Sequence, residues 1–232
     1  MKTISFEKTI LNASLKHGLK GKTLSIAVSG GPDSMAVAHV LIKNQKIIDS
    51  DIEILHFNHQ IRGEESKSDS VFVQTYFRSL GIPTFVSEGN VVELSKTRRI
   101  SLEDAARSAR YEFFASHIHE KDNRSILILG HNFEDQVETI LMHIIRGSGL
   151  NGLKGMAEMS HQTIGARSLN IFRPMLSLNR SSILEYCHDN NVPWRSDRTN
   201  SSTDYTRNSI RLELLPFLEK DNSAIFRSID NL

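Results

Sequence analysis

Short apolar runs alternate with longer amphipathic stretches along this chain. Leu24-Ser25-Ile26-Ala27-Val28 is short, apolar and β-leaning, whereas Met35 to Ile42 is long enough for a buried helix. Ile52 to Asn58 reads as a second strand, and Val73, Tyr76, Phe77 and Leu80 recur at helical spacing until Gly81-Ile82-Pro83 stops them. A third strand is predicted at Thr84-Phe85-Val86. Leu102, Ala105, Ala106, Ala109 and Phe113 form another helical stripe, with Ser101 as N-cap and Asp104 in the acidic position of a capping box. A fourth strand, Ser125 to Leu129, precedes a helix whose buried face carries Val137, Ile140, Leu141 and Ile144.

Further on the pattern weakens. Arg146-Gly147-Ser148-Gly149-Leu150-Asn151-Gly152 ends that helix with three glycines, and Met156 to Leu176 holds one or two strands, including Ile171-Phe172. A helix from Arg180 to Asn190, a helical segment beginning near Asn208 and a last helical stretch at Ser223 to Arg227 complete the reading. The alternation predicts an α/β fold, a parallel sheet with helices on both faces, which binds ligands at the carboxyl ends of its strands. Ser29 to Ser34 and Gly130 to Asp135 lie at such ends.

The first of these, Ser29-Gly30-Gly31-Pro32-Asp33-Ser34, is a polar glycine-rich turn between strand and helix. Gly30 and Gly31 can take positive φ and let the backbone approach a ligand, while their N–H groups join those of the helix N-terminus in facing an anion. Pro32 supports the turn, and Ser29 and Ser34 can donate to phosphate oxygens. Asp33 suits an anion site only if it holds a cation, for which Mg²⁺ is the candidate. The plainer alternative is an ordinary strand-to-helix turn with a polar cap. No Gly-Lys-Ser/Thr follows, so the turn is not a Walker A loop, and it is not Gly-x-Gly-x-x-Gly.

Composition narrows the class. With 232 residues, 39% hydrophobic and 24% charged, the chain can bury a core as one domain, or one domain plus an appendage. No run approaches the roughly 20 apolar residues that cross a bilayer. Met1 to Glu7 lacks the apolar core of a signal peptide, which predicts a cytoplasmic protein with no membrane contact. The single cysteine, Cys187, excludes a disulfide framework and a Cys-x-x-Cys site. A formal charge of +1 gives no bulk case for nucleic-acid binding. Between His161 and Arg211 the mild basic excess is entirely arginine, which suits phosphate as well as it suits a solvated surface.

Ser-Gly-Gly-x-Asp-Ser after a first strand resembles the PP-loop of the ATP pyrophosphatase superfamily, whose members cut ATP between the α- and β-phosphates. Gly130-His131-Asn132-Phe133-Glu134-Asp135-Gln136-Val137-Glu138-Thr139, running on to Arg146-Gly147-Ser148-Gly149-Leu150, is similar to the tRNA(Ile)-lysidine synthetase family. Asn58-His59-Gln60-Ile61-Arg62, Glu103-Asp104-Ala105-Ala106-Arg107 with Arg110-Tyr111, Arg173-Pro174-Met175-Leu176, and Tyr205-Thr206-Arg207-Asn208-Ser209-Ile210-Arg211 extend the resemblance over nearly the whole chain. It implies a Rossmann-like sandwich of the adenine nucleotide alpha hydrolase type: a catalytic domain over 1–215, then the start of a C-terminal helical linker over 216–232. It also implies the reaction. ATP adenylates C2 of the wobble cytidine in the CAU anticodon of an isoleucine tRNA, and the ε-amine of L-lysine displaces AMP to leave lysidine.

The same resemblance assigns candidates. Ser29 to Ser34, His59 and Arg207 are expected on the nucleotide, with Asp33 on Mg²⁺. Asp135 and Glu138, three apart in a helix's first turns and off its apolar stripe, could hold an ammonium group together, or could be solvated acids complementing the helix N-terminus. His131 and His59 are candidate bases for the lysine proton, or hydrogen-bonded structural residues. Arg110 and Arg207 could balance phosphate charge as AMP leaves, or form surface ion pairs. Sulfur-inserting relatives share only the PP-loop and sheet, and commonly need reactive cysteines that Cys187 alone does not supply. The family usually continues into one or two tRNA-holding C-terminal domains, whereas this sequence ends at Leu232, so weak, salt-dependent tRNA binding is expected. Another PP-loop tRNA-modifying or amidating adenylating enzyme is the alternative. Oligomeric state is left open, a homodimer included.

Overall fold

In the computed structural model, which describes residues 2–121, 124–195 and 209–221, strands and helices alternate as the pattern predicts. The order is α1 (Lys2–Lys16), β1 (Thr23–Ala27), α2 (Pro32–Lys43), α3 (Gln45–Ile48), β2 (Asp51–Asn58), α4 (Glu64–Ser79), β3 (Thr84–Glu88), α5 (Val91–Arg98) and α6 (Leu102–Lys121). Then come β4 (Ser125–Ile128), α7 (Phe133–Ile145), α8 (Leu150–Leu153), β5 (Met159–Ile164), β6 (Arg167–Phe172) and α9 (Arg180–Asp189). A π-helical turn, Ile210–Leu214, leads directly into α10 (Leu215–Asp221). The stretch expected to be helical at Ser223 to Arg227 lies outside the described residues.

The six strands form one sheet in the order β3-β2-β1-β4-β6-β5. β1 pairs in parallel with β2 on one side and β4 on the other, β2 with β3, and β4 with β6. The expectation of a parallel sheet fails at one edge, where β5 runs antiparallel to β6 from Met159–Phe172 to Ile164–Arg167. The connection there spans two residues, far too short for a crossover, so it closes a hairpin.

Period-two alternation sorts the strand residues between two cores. Leu24 and Ile26 of β1, with Ile126 and Ile128 of β4, pack with Phe6 and Ile10 of α1, Val37 and Leu41 of α2, and Ile183 and Tyr186 of α9. Leu127 and Leu129 face the other side, against Tyr111, Phe114 and Ile118 of α6. Helix α1 escapes the strand-and-helix reading although Phe6, Ile10 and Ala13 recur at i, i+4 and i+7 and are all buried. A third, smaller cluster joins Val137 and Ile140 of α7 to Ile210 and Leu215. The boundary expected at residue 215 therefore falls on the first residue of α10, which is packed against α7.

From β1 the chain winds outward to β2 and β3, then returns to β4 on the opposite side. The crevice between the carboxyl ends of β1 and β4 is the topological switch point. Both polar segments singled out in the sequence begin there.

Candidate active site

The turn after β1 is built by its own polar groups. The Gly31 N–H donates to Ser29 Oγ at 3.3 Å, the Ser29 N–H to Ser34 Oγ at 3.2 Å, and the Ser34 hydroxyl to the Gly31 carbonyl at 3.0 Å. Of the two glycines that could take positive φ, Gly30 does so, at +96°. Gly31 sits at φ −76° as the N-cap of α2, ahead of Pro32 in the first turn, a backbone open to any residue. Gly30 is strapped from outside: its carbonyl accepts the Arg195 N–H at 2.9 Å. The Arg195 guanidinium donates to Ser68 at 2.6 Å, pairs with Asp69 at 3.2 Å and lies over the Phe72 ring.

Gly130 fixes the second wall. A Cβ there would stand 3.0 Å from the backbone of Asp33 and Ser34, so glycine lets the end of β4 close on the start of α2 without either having to give way. Next along the chain, Asn132 joins the two acids. Its Oδ1 accepts the Asp135 N–H at 2.9 Å, its own N–H donates to Asp135 Oδ2 at 3.1 Å, and its Nδ2 donates to Asp33 Oδ1 at 3.0 Å. Asp135 is thus half of a capping box, a role sequence reading assigned at Ser101 but missed here, although Asn at the cap and Asp three residues on were its signal.

The N-termini of α2, α7 and α9 meet at this point. Glu134 accepts the Arg180 N–H on both oxygens, each at 3.0 Å, and the Arg180 guanidinium stands 3.6 Å from Asp33 Oδ2. Burial raises the Asp33 pKa, against the opposing Arg180 charge and the Asn132 hydrogen bond. Burial likewise raises that of Glu134.

Asp135 and Glu138 do converge on one cation, and that cation is Arg211. Its Nε donates to Glu138 Oε1 at 2.5 Å, and its Nη2 stands 3.3 Å from Asp135 Oδ1. Glu138 is fully buried, which removes the solvated alternative for it. Burial opposes the Arg211 charge, yet Glu138, Asp135 and Asp33 outweigh it and raise the Arg211 pKa. Arg211 rides on the π-helical turn, a local geometry frequent at functional sites. Sequence reading placed Arg211 in a motif without giving it a task.

A cavity of about 490 Å³ opens over the loop and brings together Ser29, Gly31, Asp33, Ser34, His59, Arg110 and His131. Gly30, Pro32, Asp135 and Glu138 stand outside its lining, and Arg207 lies outside the described residues. His59 is pulled down to about pKa 4 by burial, by Arg110 and by His56, so it is neutral near pH 7 and too weak to take an ammonium proton efficiently. Among the described residues its buried Nδ1 meets no hydrogen-bond partner, which suits it to accept from or donate to a bound ligand. His56 is locked below, with Nδ1–H to the Val28 carbonyl at 2.7 Å and Nε2 meeting Ser70 Oγ at 3.0 Å. Cys187 is buried beneath α2, its thiol pushed up to about 12 by burial, which leaves it inert.

This chain matches the PP-loop domain family over residues 3–218. It is 40% identical over 227 residues to the tRNA(Ile)-lysidine synthase of Clostridioides difficile (strain 630), covering 97% of this chain and 47% of that protein. It is 35% identical over 226 residues to the tRNA(Ile)-lysidine synthase of Bacillus subtilis (strain 168), covering 95% of this chain and 46% of that protein. The chain therefore spans about half the length of the curated relatives it matches. Among solved structures it is similar in fold to the U34-tRNA thiolase NcsA from Methanococcus maripaludis, at TM-score 0.75 and 17% identity over 98% of this chain and 77% of that one. No described helix is long and apolar enough to cross a membrane. A Ser-Gly-Gly-Pro-Asp-Ser loop at the switch point of a mostly parallel sheet and a match running from residue 3 to residue 218 agree: the chain belongs to the PP-loop domain family.

Proposed function

We propose that this chain is the catalytic part of a tRNA(Ile)-lysidine synthase, which adenylates C2 of the wobble cytidine in a CAU anticodon and then joins L-lysine to it. The observation that carries the reading is the placement of the Asp135–Glu138 pair beside the PP-loop, already holding a cationic side chain. A phosphate cradle alone would suit any ATP-splitting relative. A carboxylate pair that already holds a cation, with Glu138 fully buried and Asp135 largely so, suits an amine nucleophile, and the names of the curated relatives support the same choice.

In the first step the base oxygen attacks the α-phosphorus and pyrophosphate leaves. Ser29, Ser34 and the amides at the N-terminus of α2 hold the departing phosphates, and Arg110 meets the charge on AMP. Mg²⁺ would fit Asp33 in the mode of one carboxylate plus substrate phosphates, because among the described residues its Oδ2 meets just the Arg180 guanidinium, at 3.6 Å. There it would neutralise phosphate charge as pyrophosphate departs. In the second step the lysine ε-nitrogen attacks C2 and AMP leaves. The ammonium competes with Arg211 for Glu138 and Asp135, and gives its proton to solvent water as attack proceeds. The thiolase reading is disfavoured because one buried cysteine cannot ligate an iron–sulfur cluster.

The test is pyrophosphate release from ATP with an isoleucine-tRNA transcript bearing a CAU anticodon, supplied in turn with lysine, ammonium or sulfide. Product formation with lysine alone is expected. Turnover of the acceptor with sulfide or ammonium instead would overturn the assignment.

A further inference from the structure

His131 stands at the carboxyl end of β4 and lines the cavity, and its ring is held from behind by a buried charge. Arg173, 6% exposed, donates Nε–H to His131 Nδ1 at 3.2 Å. The rest of the guanidinium is fixed as well: Nη1 donates to the Ala157 carbonyl at 3.0 Å and to Ser160 Oγ at 2.8 Å. The Arg173 backbone N–H donates to the Glu158 carbonyl at 2.8 Å, so both ends of the residue are tied to the β5 edge. A guanidinium has only donors and keeps its charge in proteins. The nitrogen that receives its N–H must therefore be bare.

We infer that Arg173 is a positioning residue that holds His131 as the neutral tautomer with its proton on Nε2, making His131 a hydrogen-bond donor in the site and not the base for the incoming amine. This rests on the proposed function only for what the donor meets, a phosphate oxygen or the oxygen of the activated base. Two elements of geometry support it beyond the single bond. The antiparallel hairpin β5–β6, the one departure from the parallel sheet, is what brings Ala157 and Ser160 to the guanidinium. A positive charge fixed at Nδ1 also opposes a second proton on the ring, so the one bare ring nitrogen, Nδ1, is already taken by Arg173 and is not open to the proton of an ammonium.

The nitrogen resonances of His131 in the isotope-labelled protein decide this without any substrate. Nδ1 is expected in the range of a bare ring nitrogen and Nε2 in that of a protonated one. In Arg173→Met the two are expected to move toward the averaged positions of an exchanging imidazole, while in Arg173→Lys, which keeps a charge and a donor, they move less. A proton on Nδ1 in the unaltered protein overturns the proposal, as does an unchanged pattern in a folded Arg173→Met protein. Should that variant not fold, the pattern of the unaltered protein alone decides. Lysine transfer is expected to fall about 10-fold or more in Arg173→Met with the KM for ATP little changed. If the tautomer is as described while no lysine is transferred, the inference stands and the functional reading falls.

Discussion

Arg211 donates Nε–H to Oε1 of the fully buried Glu138 at 2.5 Å, which makes a side chain near the end of the described chain the counter-ion of the proposed amine site. Breaking a buried pair by removing one partner leaves an uncompensated charge and costs ~3–5 kcal/mol. Arg211→Gln is therefore expected to lower Tm substantially, and millimolar lysine should recover more stability in this variant than in the parent. Equal lysine-induced shifts in the two proteins would show that Arg211 and lysine do not compete.

Glu138→Gln keeps the shape of the site and removes its charge. The KM for lysine should rise by ~10-fold or more, as expected for losing a buried charge-assisted hydrogen bond, while pyrophosphate release in the first step changes little. Steady-state kinetics with lysine as the varied substrate checks this, and an unchanged KM would remove Glu138 from the amine site.

Asp33 pairs function with a stability cost. Its folded pKa is raised above 3.8, chiefly by burial, so the folded state binds the proton more tightly than the unfolded chain. Stability from this group is greatest below the unfolded value and is lost as pH rises through the folded one. Asp33→Asn should accordingly raise Tm near neutral pH, by on the order of 1 kcal/mol of stability, with the gain fading on acidification. Adenylation should be abolished in the same variant. A Tm loss at neutral pH, measured by thermal unfolding, would contradict the account.

His59 has the opposite sign. Its pKa falls from 6.5 unfolded to about 4 folded, so stability is fully present above 6.5 and is lost as pH falls toward 4. Replacing it with Gln should flatten the acid-side decline in Tm between those two values. An unchanged decline would mean that His59 charges without penalty.

Gly130→Ala should damage catalysis beyond its effect on folding. The added methyl meets the backbone of Asp33 and Ser34 at 3.0 Å, and backbone cannot swing away as a side chain can. The start of α2 must give by a few tenths of an ångström, and since a misplacement of ~1 Å can cost ~100-fold in rate, a several-fold loss of kcat is expected. Near-parental kcat in a folded variant would show that the loop tolerates the shift.

Much of this was legible in the sequence, for identifiable reasons. β1, β2 and β4 are short apolar runs with both faces buried, and their helices carry 3.6-residue stripes, so local pattern and burial agree. The PP-loop was legible because its glycines, proline and acid are adjacent in the chain. Asp135 and Glu138 were also read as a pair. Their partner Arg211 is 73 residues beyond Glu138, and no local pattern announces a contact made by tertiary packing. Arg173 on His131, Asn132 on Asp33 and Arg195 on Gly30 were missed for the same reason. Which of Gly30 and Gly31 uses the freedom to take positive φ was not legible, because glycine permits that conformation without requiring it. The edge hairpin was hidden by half-exposed strands such as Met159–Ile164, whose alternation is weak.

The central claim is that an ATP-splitting loop and an amine-selecting carboxylate pair act on one tRNA base. The most direct measurement is transfer of labelled lysine to a CAU-anticodon isoleucine-tRNA transcript, with the modified nucleotide located by mass spectrometry. Lysine and ATP together should add one lysine at the wobble cytidine, with one pyrophosphate and one AMP released per lysine. Label-free tRNA under the same conditions, with ATP split all the same, would contradict the claim.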